Sequence, residues 1–150
     1  MLYSRAAEYA IRAFVYLARQ PEGQYAMTRT IAQAEQIPGH FLAKILQDLA
    51  RKGMLRSVRG PSGGFCLRMP AGQIKLLQIV EAMDGPAIAD SANRIPWALD
   101  SWRPLHSRIM DSLGQSTILD IAKEIDAQAA AAKTGAEKNS RLRKSLVRKK

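Results

Sequence analysis

The sequence predicts a mainly α fold, a winged helix-turn-helix whose wing is a two-stranded β-hairpin. Three observations carry that expectation. Apolar residues recur at helical spacing along most of the chain. A short helical stretch and a longer one are joined by Ile37-Pro38-Gly39, which is the spacing of a helix-turn-helix. Directly afterwards, between Met54 and Met69, the pattern changes to two short strands around a glycine-rich tip.

The first helix is expected from about Ser4 to Arg19. The Ser4 hydroxyl suits an N-cap, because it can accept from a free amide of the first turn. Ala7, Ala10, Ile11, Phe14, Val15 and Leu17 supply its apolar stripe. Pro21-Glu22-Gly23 then breaks the chain, and Tyr25–Met27 reads as a short strand. Thr28 is expected to cap a second helix running to about Gln36, with Ile31, Ala32 and Ala34 inward. The third helix runs from His40 to Lys52 on Phe41, Leu42, Ile45, Leu46 and Leu49, and Gly53 fits its stop.

Met54–Val58 and Phe65–Met69 read as strands joined by the tip Arg59-Gly60-Pro61-Ser62-Gly63-Gly64. A fourth helix follows over Ile74–Met83, stopped by Asp84-Gly85-Pro86. Pro86 to Arg103 reads as a long connection. A fifth helix is expected from near Pro104, since proline is tolerated in a first turn; Leu105, Ile109 and Leu113 line it and Gly114 ends it. Thr117-Ile118-Leu119-Asp120 resembles a capping box and opens a sixth helix to about Ala132. From Lys133 the string KTGAEKNSRLRKSLVRKK has no sustained apolar face and reads as a disordered basic tail. The expected units are thus 1–86, a helix-turn-helix with its wing; 87–132, a linker and further helices; and the tail, 133–150.

Composition narrows the function. A chain of 150 residues holds one compact domain and an appendage. No stretch approaches the ~18 apolar residues of a membrane-spanning helix, so no membrane partner is expected. The single cysteine, Cys66, excludes an internal disulfide and a multi-thiolate metal site within one chain, and reads as a small packed residue. Arginines at 5, 12 and 19 beside an apolar face overlap with a presequence pattern, but Glu8 and the missing cleavage pattern favour a core helix. The expected compartment is the cytoplasm, at the nucleoid when DNA is bound.

The net charge of +10 is unevenly spread. Residues 1–75 hold eleven basic and four acidic side chains, residues 76–132 four and eight, and residues 133–150 eight and one. A basic front half suits a polyanion, with a solvated basic surface as the plain alternative. Reading a duplex takes a rigid element narrow enough for the major groove, with polar groups toward its N-terminal end. The third helix offers Pro38, Gly39, His40, Phe41 and, one turn on, Lys44 there, and Ala43 suits contact with a thymine methyl. His40 and Lys44 suit base edges or phosphate, or else are solvated surface groups. Phe41 belongs either to this set or to the core. Thr28 and Arg29 open the second helix, as phosphate contacts or simply as a cap. In the hairpin tip, glycines allow close approach to an anion, and Arg59, Pro61, Ser62 and Gly63 suit phosphate or minor-groove contact. The glycines do not form a nucleotide-binding loop, because no helix and no Gly-Lys-Ser/Thr follows them.

The strings EYAIRAFVYLA, IAQAEQIPGHFLAKILQDLARKGMLRSVRGPSGGFCLRMP and IKLLQIVEAMDGP resemble the Rrf-two family of bacterial winged-helix transcription regulators. That family includes the iron–sulfur cluster regulator and the nitric-oxide-sensitive repressor. The resemblance is close over residues 1–86 and loose over 87–132. It implies a homodimer on a palindromic operator in double-stranded DNA, with each third helix in a major groove and each wing along the adjacent minor groove; Ser4 joins the DNA-facing set. It also implies that the fifth helix is a C-terminal dimerisation helix, placing Leu105, Ile109 and Leu113 at the interface with Trp102 near it. Many members hold an iron–sulfur cluster on three cysteines between the fourth and fifth helices. Here that connection has none: Ala92, Ala98 and Pro104 stand near those places, and Asp100 and His106 do not replace them. The chain therefore resembles the cluster-free branch, with no cofactor expected and an effector or partner protein as its signal.

The leading expectation is a DNA-binding transcriptional regulator, a repressor by occupancy of a promoter. The alternative is a winged helix kept as a protein-interaction module with weak nonspecific DNA binding, using the acidic middle with Trp97 and Trp102. No catalytic constellation is visible, since no carboxylate pair, nucleophile elbow or metal-ligand cluster stands in the chain.

Overall fold

Ser4 starts the fold as anticipated: its hydroxyl accepts the Ala7 amide at 3.1 Å. The same residue also donates from its amide to the Asp84 carboxylate at 2.7 Å, and from its hydroxyl to the other carboxylate oxygen. The start of the first helix is thereby tied to the end of the fourth. The structure, a computed structural model, describes residues 3–86 and 102–147, of which 102, 103 and 133–147 as backbone alone. In chain order it contains α1 (Arg5–Ala18), α2 (Thr28–Ala34), α3 (Gly39–Arg51), β1 (Leu55–Val58), β2 (Gly64–Leu67), a 3-10 turn (Ala71–Gln73), α4 (Leu76–Asp84), α5 (Trp102–Gln115) and α6 (Ile118–Val147). This is the winged helix-turn-helix expected from the sequence. Among the described residues no helix is long and apolar enough to cross a membrane.

The core follows the apolar stripes. α1 turns Ala7, Ala10, Ala13, Phe14 and Leu17 inward, and its alanines let it lie close against α4 and α6. Phe14, Ile31, Leu42, Leu46, Leu49, Leu55, Ile74, Ile79, Val80 and Ile118 are fully buried. Each contributes roughly 1.5–3 kcal/mol relative to an exposed side chain. The helix-turn-helix closes at Gln36, which takes φ 52° in the left-handed region, and the Ile37 amide returns to the Ala32 carbonyl at 2.9 Å. Gly53, at φ 76°, ends α3 in the same way.

Several boundaries differ from the sequence expectation, each for a tertiary reason. Met27, not Thr28, is the N-cap of α2 and makes no side-chain cap bond; Thr28 is the first helical residue. Tyr25–Met27 is not a strand. Ala26 alone pairs with Phe65, exchanging two hydrogen bonds of 2.9 Å that seat the wing against the approach to α2. Ile74 and Lys75 are extended rather than helical, because their backbone pairs with the α5–α6 junction: Leu76 donates to Ser116 at 3.0 Å and Ile118 to Ile74 at 2.9 Å. α5 opens at Trp102, with Pro104 inside its first turn, and passes through Gly114 to Gln115, which delivers Ser116 to that pairing.

The capping box at the start of α6 is present. Thr117 Oγ1 accepts from the Asp120 amide at 3.2 Å, and Asp120 accepts from the Thr117 amide at 2.9 Å. These bonds from Thr117, the hydroxyl first and the amide second, hold the Asp120 carboxyl below the ordinary carboxylate range. α6 then continues to Val147, so the backbone of 133–147 is helical and not the disordered tail expected. The segment has no proline, a single glycine at 135, and is rich in Ala, Lys, Arg, Leu and Glu. Local propensity suffices where an apolar face is lacking.

Candidate nucleic-acid interface

The inward stripe of α3 determines its outward face. Burial of Leu42, Ile45, Leu46 and Leu49 leaves His40, Phe41, Lys44, Gln47 and Arg51 exposed. Pro38 is the N-cap, and its carbonyl accepts the amides of Phe41 and Leu42, both at 3.1 Å. Phe41 lies outside the core at 54% exposure, its ring centroid 4.4 Å from that of His40. The acid on this helix, Asp48, is neutralised locally: Lys52 binds it at 2.8 Å and Arg51 at 3.2 Å. Lys52, then Arg51, holds its carboxyl below the usual range. Lys44 has no acidic partner among the described residues. The face therefore presents net positive charge where a polyanion would approach.

Gln47 was missed by the sequence reading. It stands seven residues from His40 and three from Lys44, hence on their side of the helix. With Ala50, Arg51, Ser57, Val58 and Arg59 it lines an open groove of about 520 Å³ between α3 and the wing. Counting helical offsets from Lys44 would have found it.

The wing is an antiparallel pair in the register Leu55↔Leu67, Arg56↔Cys66, Ser57↔Phe65, Val58↔Gly64. Its tip is a four-residue turn in which the Gly63 amide donates to the Gly60 carbonyl at 3.0 Å, with Pro61 at the second position where proline is favoured. Gly63 is buried, and a Cβ there would stand 2.2 Å from the Val58 carbonyl oxygen. A Cβ on Gly64 would stand equally close, 2.2 Å, to the oxygen of Ala26. These two glycines build the tip. Gly63 in particular has its amide occupied and is withdrawn from the contact set anticipated for it. Arg59, Pro61 and Ser62 are exposed, and Arg59 has no ion-pair partner among the described residues.

The other expected residues divide. Arg29 is exposed and Thr28 half-buried beside it, along the groove between α2 and the start of α3. Ser4 is engaged as the α1 cap and the tie to Asp84. Leu105 is exposed and Ile109 and Leu113 half-buried; with Arg108 and Ser112 they line an open groove on α5. Trp102 begins that helix, and its side chain lies outside the described residues, as do Ala92, Trp97, Ala98, Asp100 and most of the Pro86–Arg103 connection. Cys66 is buried as expected. The Tyr25 phenol, hydrogen-bonded to its sulfur, is raised above its ordinary range.

Comparison with known proteins agrees with this geometry. The family model described as Rrf2, iron-dependent transcriptional regulator, matches residues 3–124. An HTH-type transcriptional regulator of Mycobacterium tuberculosis is 34% identical over 131 residues, covering 81% of either chain. One from Synechocystis is 32% identical over 128 residues, covering 81% of this chain and 87% of its own. Among solved structures, Staphylococcus aureus CymR is similar with a TM-score of 0.66 at 29% identity, over 79% of this chain and 96% of that one. CymR of B. subtilis, titled the global cysteine regulator, matches in fold with a TM-score of 0.69 at 22% identity, over 81% of this chain and 95% of that one.

The iron in the family description can be tested against the donors this chain carries. A cluster held by thiolates needs several; this chain has one cysteine, buried in β2 and facing Tyr25. Among the described residues no three His, Cys, Asp or Glu side chains gather as a metal site. A thiolate-bound cluster does not fit these residues. The match over residues 3–124, the relatives above 30% identity and the winged fold with its basic helix face lead to one conclusion: the chain belongs to the Rrf2 family of transcriptional regulators, the Rrf-two family that its motifs resemble.

Proposed function

We propose that this regulator is a homodimeric, sequence-specific DNA-binding repressor that works without an iron–sulfur cluster. The observation that carries the reading is the outer face of α3 with the adjoining wing: among the described residues Lys44 and Arg59 have no acidic partner, and Asp48 is already held by Lys52 and Arg51. His40, Lys44 and Gln47 are the base-reading candidates. Arg29, Arg59, Pro61 and Ser62 are assigned to phosphate or minor-groove contact, with Thr28 beside Arg29 as a phosphate contact and Pro38 as the N-cap of α3. Ser4 acts indirectly, through the cap of α1.

Dimerisation is assigned to the apolar groove of Leu105, Ile109 and Leu113, with Trp102 assigned to the same interface. A two-fold pair then implies a roughly palindromic operator, with half-sites about one turn, ~10 base pairs, apart. Repression follows from occupancy of a promoter, in the cytoplasm at the nucleoid, and no catalytic role is assigned. The basic segment 133–150 adds nonspecific grip on phosphates. The signal is an effector or partner protein, and the Pro86–Arg103 connection is where a ligand pocket would be sought.

The decisive experiment selects bound sites from a random duplex library with purified full-length protein free of metal, and measures its mass in solution. An enriched palindrome bound by a dimer is expected. A monomer indifferent to every duplex would overturn the proposal. Weak, sequence-blind binding beside a tight protein partner would replace it with the interaction-module alternative.

A further inference from the structure

Phe41 has no role yet on α3, and the role assigned to it below rests on α3 being the base-reading helix. Phe41 is the third residue of α3 and is 54% exposed, the most exposed large apolar side chain among the described residues. Leaving such a ring in water forgoes much of the stabilisation that burial gives. The core does not call for it, because its neighbour Leu42 fills the inward position at 0% exposure. The ring is also braced. Its backbone amide is held by Pro38 at 3.1 Å, and the His40 imidazole lies 4.4 Å away, tilted by 42°. An apolar tip therefore stands against a polar group, His40, and one turn before a cation, Lys44.

In the major groove only one base carries an apolar group, the C5 methyl of thymine. Phosphates and sugars of the backbone offer no comparable apolar partner to a ring at the groove-facing end of a helix. Cytosine offers an amino donor, which phenylalanine cannot answer. We infer that Phe41 is a specificity-determining residue that packs on a thymine methyl in each half-site and so selects a T·A pair there. His40 and Lys44 beside it supply the polar contacts to the neighbouring bases.

The test uses the operator obtained by selection, with each thymine replaced in turn by deoxyuracil. That change removes the methyl and keeps the base pairing and the O4 acceptor. One thymine per half-site is expected to be sensitive. Its replacement should weaken wild-type binding about fourfold, and replacement in both half-sites about fifteenfold, the scale of one and two buried methyl groups. Phe41→Ala should bind the thymine and uracil duplexes equally, and Phe41→Leu should keep part of the difference. Because the side chain is exposed, both variants should melt like the wild type. If uracil is neutral at every position, or Phe41→Ala stays as sensitive as the wild type, the inference is wrong. A wild-type protein that enriches no site at all overturns the base-reading proposal itself, and that result appears at the selection step, before any thymine is replaced.

Discussion

α3 and α6 are both regular helices, yet they stand on different physical ground. α3 buries Leu42, Ile45, Leu46 and Leu49 against the body of the domain, and its ends are set by Pro38 and Gly53. α6 buries Ile118 and Ala122 against α1, with Arg19 reaching Asp126 at 2.8 Å, and every residue from Lys123 to Ala132 is exposed. The first is a helix because its apolar stripe has somewhere to go. The second, beyond its opening turns, is a helix because alanine and lysine favour it. The element proposed to present side chains to DNA is the one anchored by packing.

Four measurements would sharpen or break that contrast. The largest effect is expected for Leu46→Ala, which empties a fully buried site on α3; a loss of about 2–5 kcal/mol in urea denaturation is the scale for such a cavity. A loss near zero would mean that α3 is not anchored as described. Next, Lys44→Ala should leave stability alone and weaken operator binding by about 1–3 kcal/mol, through one base step. An equal loss on every duplex would assign Lys44 to phosphate instead. Third, Ala129→Gly on the exposed part of α6 should lower helicity locally by about 1 kcal/mol while the global unfolding midpoint barely moves. A shift as large as that of Leu46→Ala would show α6 to be packed along its length.

The smallest effect concerns acid. Thr117 holds the folded-state pKa of Asp120 below its unfolded value. The capping bond therefore contributes stability at pH above the unfolded carboxylate value, about 3.9. That contribution is lost as pH falls through the lower folded value. Thermal melts across the acid range should accordingly show Asp120→Ala less stable than the wild type at neutral pH, with the difference shrinking below about pH 4. A constant difference at every pH would separate the cap from the ionised carboxylate.

Much of this molecule was legible in its residues because the signals are local. The Ile37-Pro38-Gly39 turn, the Gly53 stop, the glycine-framed tip and the Thr117–Asp120 box each act within a few residues, and each appears where it was expected. Misjudged positions depend on distant partners. Ile74 and Lys75 carry a helical pattern but give their backbone to the chain some forty residues on. Tyr25–Met27 has the composition of a strand but only one residue of the wing to pair with. Gly63 is the exception: it looked like an open amide for a phosphate and is instead closed within its own turn by Gly60. The helical offset from Lys44 already puts Gln47 on the outward side of α3, and it is the neighbouring wing that makes that side one wall of a groove.

The sequence by itself determined the order of elements, the inward stripe of each helix in the body and the absence of the thiols that a cluster needs. Those properties follow from side-chain type and spacing, which act through short-range geometry and the removal of apolar surface from water. Tertiary structure alone decided which elements come together. It left Phe41 outside the core, seated the wing on Ala26 and stitched the start of α4 to the α5–α6 junction. Those outcomes depend on hydrogen bonds and contacts between segments far apart in the chain, and no local pattern encodes them.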